Sequence, residues 1–163
     1  MRIGVISDSH GDRQALEKAI NHMSGADVIF HLGDYVKDCE HIKKIHSGPI
    51  YKVSGNCDFF TDTNTPSEQR IAIGGKTVFA VHGHKYRVKD GIKVLYYKGL
   101  EIGADIVLFG HTHSARIVRV DEMVFLNPGS VSRPRNVHRP TYGIIEISKG
   151  HIKPKIVNFS GGK

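Results

Sequence analysis

Long apolar runs and paired cysteines are absent from this sequence, and each absence excludes a class of protein. No apolar stretch approaches the roughly 18 residues that a membrane-spanning helix requires, so the sequence predicts no insertion into a membrane. The two cysteines, Cys39 and Cys57, form no C-x-x-C motif. The first residues lead directly into an apolar segment, without a charged leader followed by a long apolar run. These features together predict a cytoplasmic protein.

Size and charge indicate an ordinary globular chain with a basic surface. The 163 residues fit a single domain over residues 1–163, and 39% apolar with 24% charged residues is far from the composition of disordered proteins. The net charge of +7 would attract anionic ligands. A solvated basic surface explains that charge equally well, because no single segment concentrates it. Eleven histidines are a high number for this length.

The order of the predicted elements indicates an α/β protein. Strands are predicted at residues 2–6, 27–31, 50–53 and 105–109, and helical patterns at 12–23, 39–45 and 90–102. Hairpins follow at 68–81, 116–126 and 142–157. Parallel units and hairpins in one chain predict mixed sheets, most simply two packed face to face with helices outside. The polar residues 58–67 are predicted to form a loop at the rim of a site.

Two positions bear on the helices. Asp12 is a candidate cap for the first one. Gly99 weakens the third helical pattern, because an interior glycine costs about 1 kcal/mol.

Five of the predicted strands end in a short turn that carries potential metal ligands. These ligands are Asp8 with His10, then Asp34, Asn56, His82, and finally His111 with His113. Ligands of sheets with parallel strands gather outside the carboxyl ends of the strands. Each turn alone is better explained by ordinary capping and turn chemistry. All five together, ending in Gly-His-Thr-His, predict one metal site.

The ordered motifs Asp-x-His, Gly-Asp, Gly-Asn, His-Gly-His and Gly-His-x-His resemble the calcineurin-like metallophosphoesterase superfamily, from Asp8 to about Arg135. Gly-Asn-Cys-Asp at 55–58 and Asn-Pro-Gly-Ser at 127–130 resemble its small prokaryotic phosphodiesterase branch. The resemblance implies an α/β/β/α sandwich. It also implies two metal sites that share Asp34. The first would use Asp8, His10, Asp34 and His113, and the second Asp34, Asn56, His82 and His111.

Nitrogen and oxygen donors without thiolate suit Mn, Fe, Ni or Zn, and the resemblance favours Mn. Two such ions can activate a bridging hydroxide for in-line attack and neutralise charge on a phosphoryl group. The sequence therefore predicts an enzyme, either a dimetal phosphodiesterase that acts on small-molecule phosphodiesters, which is the favoured interpretation, or a less specific phosphoesterase. The absence of a Gly-x-Ser-x-Gly motif agrees with a hydroxide nucleophile.

The sequence departs from the wider superfamily at Cys57, where many members have a histidine that protonates the leaving group. A neutral thiol is a poor substitute for an imidazolium. His84 is a candidate acid or a supporting partner of the ligands, or equally a structural histidine. Arg133 and Arg135 are candidates for holding a phosphoryl oxygen. Solvated loop arginines are the alternative, and the simpler one.

Two other functions remain open. Some relatives of this fold act as protein scaffolds with a degraded metal site, and the loss of the acid at Cys57 favours that function slightly. A nuclease would share the site chemistry, but the sequence has no basic stripe with interleaved aromatic residues, so nucleic acid is not the favoured partner. The sequence makes no prediction of the oligomeric state.

Overall fold

The structure, a computed structural model, describes residues 1–58 and 64–160. Its described part contains ten strands and three α-helices. The strands are β1 (Arg2–Ile6), β2 (Val28–His31), β3 (Ile50–Lys52), β4 (Glu68–Ile73), β5 (Lys76–Val81), β6 (Ile106–Leu108), β7 (Arg116–Val120), β8 (Met123–Asn127), β9 (Thr141–Ser148) and β10 (His151–Asn158). The helices are α1 (Arg13–His22), α2 (Cys39–Ile42) and α3 (Lys93–Ile102), with 3₁₀ turns at Val36–Asp38 and His84–Tyr86.

The strands form two mixed sheets of five. The first has the order β10-β9-β1-β2-β3, in which β1, β2 and β3 are parallel and β9 runs antiparallel to β1. The second has the order β4-β5-β6-β8-β7, in which β5, β6 and β8 are parallel. Parallel strands point their carboxyl ends toward the same edge. Each sheet therefore brings several of the candidate turns to one edge.

Alternation along the strands produces three apolar layers. In β1, Ile3 and Val5 face the other sheet, whereas Ile6 packs with the helices. In β6, Ile106 faces the first sheet and Val107 packs toward α3. Helices α1 and α2 cover the outer face of the first sheet, and α3 covers that of the second. The predicted α/β/β/α sandwich is therefore confirmed.

Local chemistry accounts for the helices. The Asp12 side chain accepts a hydrogen bond from Ala15 N (3.0 Å), which caps α1 as predicted. Gly99 lies in the interior of α3 because that helix approaches the sheet closely. A Cβ at this position would lie 2.7 Å from Met123 Sδ. The interior glycine thus allows close packing of α3 on the second sheet.

The predicted element bounds need small corrections. The helix predicted at 39–45 is α2 (Cys39–Ile42) and is shorter, while the one predicted at 90–102 begins at Lys93. Residues 59–63 of the loop predicted at 58–67 lie outside the described part of the chain. No helix among the described residues is both long and apolar enough to span a membrane. A single domain over residues 1–163 stays a prediction.

Candidate metal centre

The turns after β1, β2, β3, β5 and β6 converge where the two sheets meet. Asp8 and His10 follow β1, and Asp34 follows β2. The backbone joins these first two turns directly, since Asp8 N donates to Gly33 O (3.0 Å). In the second sheet, Gly110 N donates to His82 O (2.9 Å), and this hydrogen bond joins the turns after β5 and β6. All seven predicted ligands therefore lie in one region.

Four of these side chains form a first group of donors. One donor atom from each of Asp8, His10, Asp34 and His113 lies within 4.8 Å of the other three. His113 Nε2 is 3.2 Å from Asp8 Oδ1 and 3.2 Å from His10 Nε2. His10 Nε2 is 3.9 Å from Asp34 Oδ2. This grouping matches the first of the two predicted ligand sets.

The second group surrounds the other oxygen of Asp34. His82 Nε2 lies 3.5 Å from Asp34 Oδ1 and 3.2 Å from Asn56 Oδ1. His111 Nδ1 is 3.2 Å from His82 Nε2. Asp34 therefore stands between the groups, with one oxygen toward each. Its Oδ1 also accepts a hydrogen bond from Cys57 N (2.9 Å), which holds the carboxylate in place.

Backbone carbonyls determine how two of the imidazoles present their nitrogens. His82 Nδ1 donates to Leu32 O (2.7 Å), and His113 Nδ1 donates to Arg133 O (2.8 Å). A carbonyl only accepts, so each Nδ1 carries a proton and each neutral ring offers its Nε2 lone pair to the site. This is the usual arrangement of a histidine that ligates a metal.

The donor set fits a bound cation. Asp8 Oδ1 is buried, and within the described residues, 1–58 and 64–160, it accepts no well-aligned hydrogen bond. His113 Nε2 lies 3.2 Å from both His10 Nε2 and Asp8 Oδ1, so these atoms are placed to share a proton or a cation. Nitrogen and carboxylate donors suit a divalent transition metal. The residues present therefore fit a divalent transition metal.

Burial and pairing shift the pKa values of the candidate ligands. Pairing with Asp8 raises the pKa of His113. Burial alone would raise the pKa of Asp8, but His113 and the charge of His82 lower it overall. Burial lowers the pKa of His10, and burial together with the charges of His82 and Lys89 lowers that of His111 to about 4. At neutral pH, the rings of His10 and His111 are therefore uncharged, and each has one nitrogen lone pair available for a metal.

The backbone is strained at the same positions. Five of the candidate ligands have positive φ angles, a conformation that costs side-chain-bearing residues about 1–3 kcal/mol. They are Asp8 (55°), His10 (46°), Asp34 (55°), His111 (67°) and His113 (56°). Such strain persists where surrounding contacts hold it, and it concentrates at functional sites.

Two glycines allow the turns to approach each other. Gly33 has a φ of 96°, and a Cβ there would lie 2.6 Å from Gly55 N. A Cβ at Gly55 would overlap the Asp34 carboxylate. Any side chain at position 55 would therefore displace the residue that stands between the two groups of ligands.

Asp58 has a positioning role that the sequence did not indicate. Its Oδ1 accepts hydrogen bonds from Tyr35 N (2.8 Å) and Val36 N (2.9 Å), and its Oδ2 accepts one from Gly55 N (2.8 Å). One buried carboxylate thus ties the turn after β2 to the turn after β3. The Gly-Asn-Cys-Asp motif was the available signal.

His31, which matches no motif, supports the first turn. Its Nδ1 accepts a hydrogen bond from Gly33 N (3.2 Å), so its Nε2 donates to Ser9 Oγ (3.0 Å). Ser9 Oγ in turn donates to Asp38 Oδ2 (2.6 Å). Burial lowers the pKa of His31, in agreement with the neutral ring that this network requires. The network holds the residue between the two ligands of the first turn.

The Asn-Pro-Gly-Ser turn holds the same segment from the opposite side. Ser130 Oγ and Ser132 Oγ both donate to Asp8 O, at 2.7 and 3.0 Å. Asn127 Nδ2 donates to Gly110 O (2.9 Å). In the sequence, the Asn-Pro-Gly-Ser motif indicated only a branch of the family. Its structural role is to position the turns that carry Asp8 and His111.

An open cavity of about 450 Å³ leads to the donor groups. Its lining includes the predicted substrate residues Arg133 and Arg135, the exposed Cys57, and Lys89, which sequence reasoning missed. Burial and the nearby Asp34 raise the pKa of the Cys57 thiol to about 11. His84 is not part of the described lining, and its ring centre lies 5.4 Å from that of His82. The roles predicted for His84, Arg133 and Arg135 stay predictions.

The chain resembles known phosphoesterases in sequence. The chain is 32% identical to the probable metallophosphoesterase YsnB of Bacillus subtilis, over 100% of this chain and 94% of that one. It is 25% identical to the phosphodiesterase YfcE of Escherichia coli, over 90% and 88% of the two chains.

Solved structures have the same fold. The crystal structure of a predicted phosphoesterase from Streptococcus pneumoniae matches with a TM-score of 0.81 and 29% identity, over 96% of this chain and 88% of that one. Vps29 of Entamoeba histolytica in complex with Zn²⁺ matches with a TM-score of 0.77 and 22% identity, over 97% and 99% of the two chains. Residues 1–150 match the family model described as the calcineurin-like phosphoesterase superfamily domain. Together with the site, this match assigns the chain to the calcineurin-like phosphoesterase superfamily.

Proposed function

We propose that this chain is a dimetal phosphodiesterase that hydrolyses small-molecule phosphodiesters, with Mn as the metal. The observation that carries the function is the position of Asp34, whose two oxygens lie 3.5 Å from His82 Nε2 and 3.9 Å from His10 Nε2. One ion would be held by Asp8, His10, Asp34 and His113, and the other by Asp34, Asn56, His82 and His111. When bound, two divalent ions lower the pKa of a shared water and neutralise charge on phosphoryl oxygens.

The remaining residues would bind and orient the substrate. Arg133 and Arg135 line the cavity beside His113, where a guanidinium can donate two parallel hydrogen bonds to non-bridging phosphoryl oxygens. The backbone of this segment is held at the site, because Arg135 N donates to His113 O (3.0 Å). The arginines would thus fix the orientation of the scissile phosphate relative to the ligand groups.

Protonation of the leaving group is the weak part of this site. The Cys57 thiol has a pKa of about 11, far from the neutral range in which a general acid works best. Burial and the neighbouring His82 lower the pKa of His84, so its ring is neutral at pH 7 and has no ready proton to give. The site would therefore favour esters whose leaving group departs without protonation. The name of the relative YfcE, a phosphodiesterase, supports the choice of phosphodiesters as substrates.

Metal analysis and a substrate panel test the function together. Protein saturated with Mn should hold two ions per chain. It should hydrolyse bis(p-nitrophenyl) phosphate with a higher kcat/KM than p-nitrophenyl phosphate or an alkyl phosphomonoester, and the metal-free protein should be inactive. A metal content near zero would overturn the dimetal assignment. Full metal loading without turnover of any ester would instead indicate a scaffold.

A further inference from the structure

Among the residues that the structure describes, three cationic side chains line the cavity, and they come from two separate loops. Arg133 and Arg135 lie on the loop between β8 and β9. Lys89 lies on the loop between β5 and α3. The cavity therefore has basic groups from both loops.

These cations have no ion-pair partner within residues 1–58 and 64–160. Asp90, the acidic residue next to Lys89 in the chain, pairs instead with Arg87 at 3.0 Å. Among the described residues, Asp34 is the one carboxylate in the lining. Its oxygens face His10 and His82, so it does not neutralise the lysine.

The two loops are anchored to different groups of ligands. The arginine loop is bound to His113, whose Nδ1 donates to Arg133 O (2.8 Å). The lysine loop is attached to the turn after His82, because Val88 N donates to Gly83 O (3.5 Å) and the Val88 side chain packs against Gly83. The arginines thus stand beside the first group of ligands, and Lys89 beside the second.

We propose that Lys89 binds a second phosphate of the substrate, and that the substrate class is phosphodiesters that carry an additional phosphate group. This inference rests on the proposed phosphodiesterase function. A plain diester has one negative charge, which two arginines and bound metal ions already exceed. A lysine ammonium binds phosphate as a compact charge with three donors. A cavity of about 450 Å³ is within the usual range for small-molecule sites and has room beyond the scissile phosphate.

Two esters with the same leaving group provide the test. One is the p-nitrophenyl ester of thymidine 5′-phosphate, and the other carries an additional phosphate on its 3′ oxygen. The Mn-loaded wild type should prefer the second by about tenfold or more in kcat/KM, as expected for one charge-assisted contact. Rising ionic strength should reduce this preference. Lys89→Gln should abolish most of it, and Lys89→Arg should retain it.

The exposed Lys93, four residues further along, provides the matched control, and Lys93→Gln should keep the full preference. Equal hydrolysis of the two esters by the wild type, or an unchanged preference in Lys89→Gln, would overturn the proposal while the phosphodiesterase function stands. Hydrolysis of neither ester would refute that function and the Lys89 proposal together. If a single-stranded oligonucleotide is cleaved faster than either ester, the second phosphate belongs to a nucleic acid. That result would overturn the proposed small-molecule substrate class.

Discussion

Asp34 stands between the two groups of histidines, so a change there should affect both. Asp34→Asn replaces one carboxylate oxygen by an amide nitrogen that cannot bind a metal. We expect a loss of more than about 100-fold in kcat, because even changes to partners outside the ligand shell typically cost 10–100-fold. Changes at His84, Arg133 or Arg135 should cost less.

Steady-state kinetics and metal analysis of Asp34→Asn would measure this effect. Asp12→Asn is the matched control, since Asp12 caps α1 and asparagine caps equally well. If Asp34→Asn binds two ions and has the kcat of the wild type, the proposal that Asp34 is shared by both metal sites is wrong.

Under the proposed function, Cys57 limits the leaving groups that the site can expel, because its thiol is a poor proton donor. An imidazole at this position would introduce a donor of suitable pKa on the wall of the cavity. Cys57→His should therefore raise turnover of an alkyl phosphomonoester relative to the bis-aryl diester. The effect should be large, since general acid catalysis contributes about 10²–10⁴-fold.

The ratio of kcat/KM values for the alkyl monoester and the bis-aryl diester is the measurement. Cys57→Ser, which is close in size and adds no acid of suitable pKa, is the control. Faster hydrolysis of the alkyl monoester than of the diester by the wild type would show that the enzyme already has an effective acid.

If His113 ligates a metal as proposed, metal binding should depend on pH. Its pKa is raised above the ordinary value of 6.5 by Asp8, so in the metal-free chain this ring still holds its proton at pH values near and above 6.5. A metal needs the neutral ring, and binding should displace that proton. Apparent affinity should therefore fall as pH falls through the raised pKa. The ion pair itself stabilises the metal-free fold below pH 6.5 and is lost as pH rises through the raised pKa.

Calorimetry of Mn binding in buffers of different ionisation enthalpy would count the released protons. The number of protons released on Mn binding should decline as pH rises beyond the raised pKa of His113. The substitution His113→Gln should abolish the protons that this residue contributes. His111, with a pKa of about 4, should contribute nothing in this range. Proton release that stays constant as pH rises would be inconsistent with the His113 assignment.

At the scale of secondary-structure elements, Asp58 links the turn after β2 to the turn after β3. Its carboxylate accepts three backbone hydrogen bonds from these turns. Asp58→Asn would leave at least one buried N–H group facing an amide donor. An unsatisfied buried group costs about 1–3 kcal/mol, and we expect the free energy of unfolding to fall by that amount.

Urea unfolding of the metal-free chain isolates this effect from metal binding. Asp121→Asn is the control, because Asp121 lies in the exposed turn between β7 and β8 and asparagine tolerates its φ of 50°. Equal stability of Asp58→Asn and the wild type would show that the two turns do not need this carboxylate.

For the whole molecule, the candidate metals would join the two sheets. The first group of ligands takes Asp8, His10 and Asp34 from the turns of the first sheet and His113 from the second. A ligand that binds the folded state stabilises it by about 2.7 kcal/mol at a hundredfold excess over Kd. Removal of Mn by EDTA should therefore lower Tm by roughly 5–10 °C for a chain of this size.

Thermal unfolding with Mn and with EDTA tests this expectation. The Asp34→Asn variant is the control, since it should respond weakly to EDTA. A wild-type Tm that does not change on chelation would mean that the site binds no stabilising metal.

The sequence by itself determined the order of elements and the candidate ligands. Strands such as β1 and β5, and the cap at Asp12, follow from local periodicity and side-chain chemistry. Local signals need no knowledge of distant residues. The resemblance of the motifs added the sandwich architecture, which local patterns alone left as one of several mixed-sheet arrangements.

Only the tertiary structure determined how the ligands are held and what surrounds them. His82 is oriented by Leu32 O, 50 residues away, and Ser130 holds Asp8 O across 122 residues. His31 and Lys89 carry no local pattern that distinguishes them from ordinary turn and surface residues, and for Asp58 the Gly-Asn-Cys-Asp motif was the one local signal. The roles of Asp58 and His31 arise because a buried polar group must find its hydrogen-bond partner wherever the fold provides one. The exposed Lys89 reaches the cavity because its loop packs beside the second group of ligands.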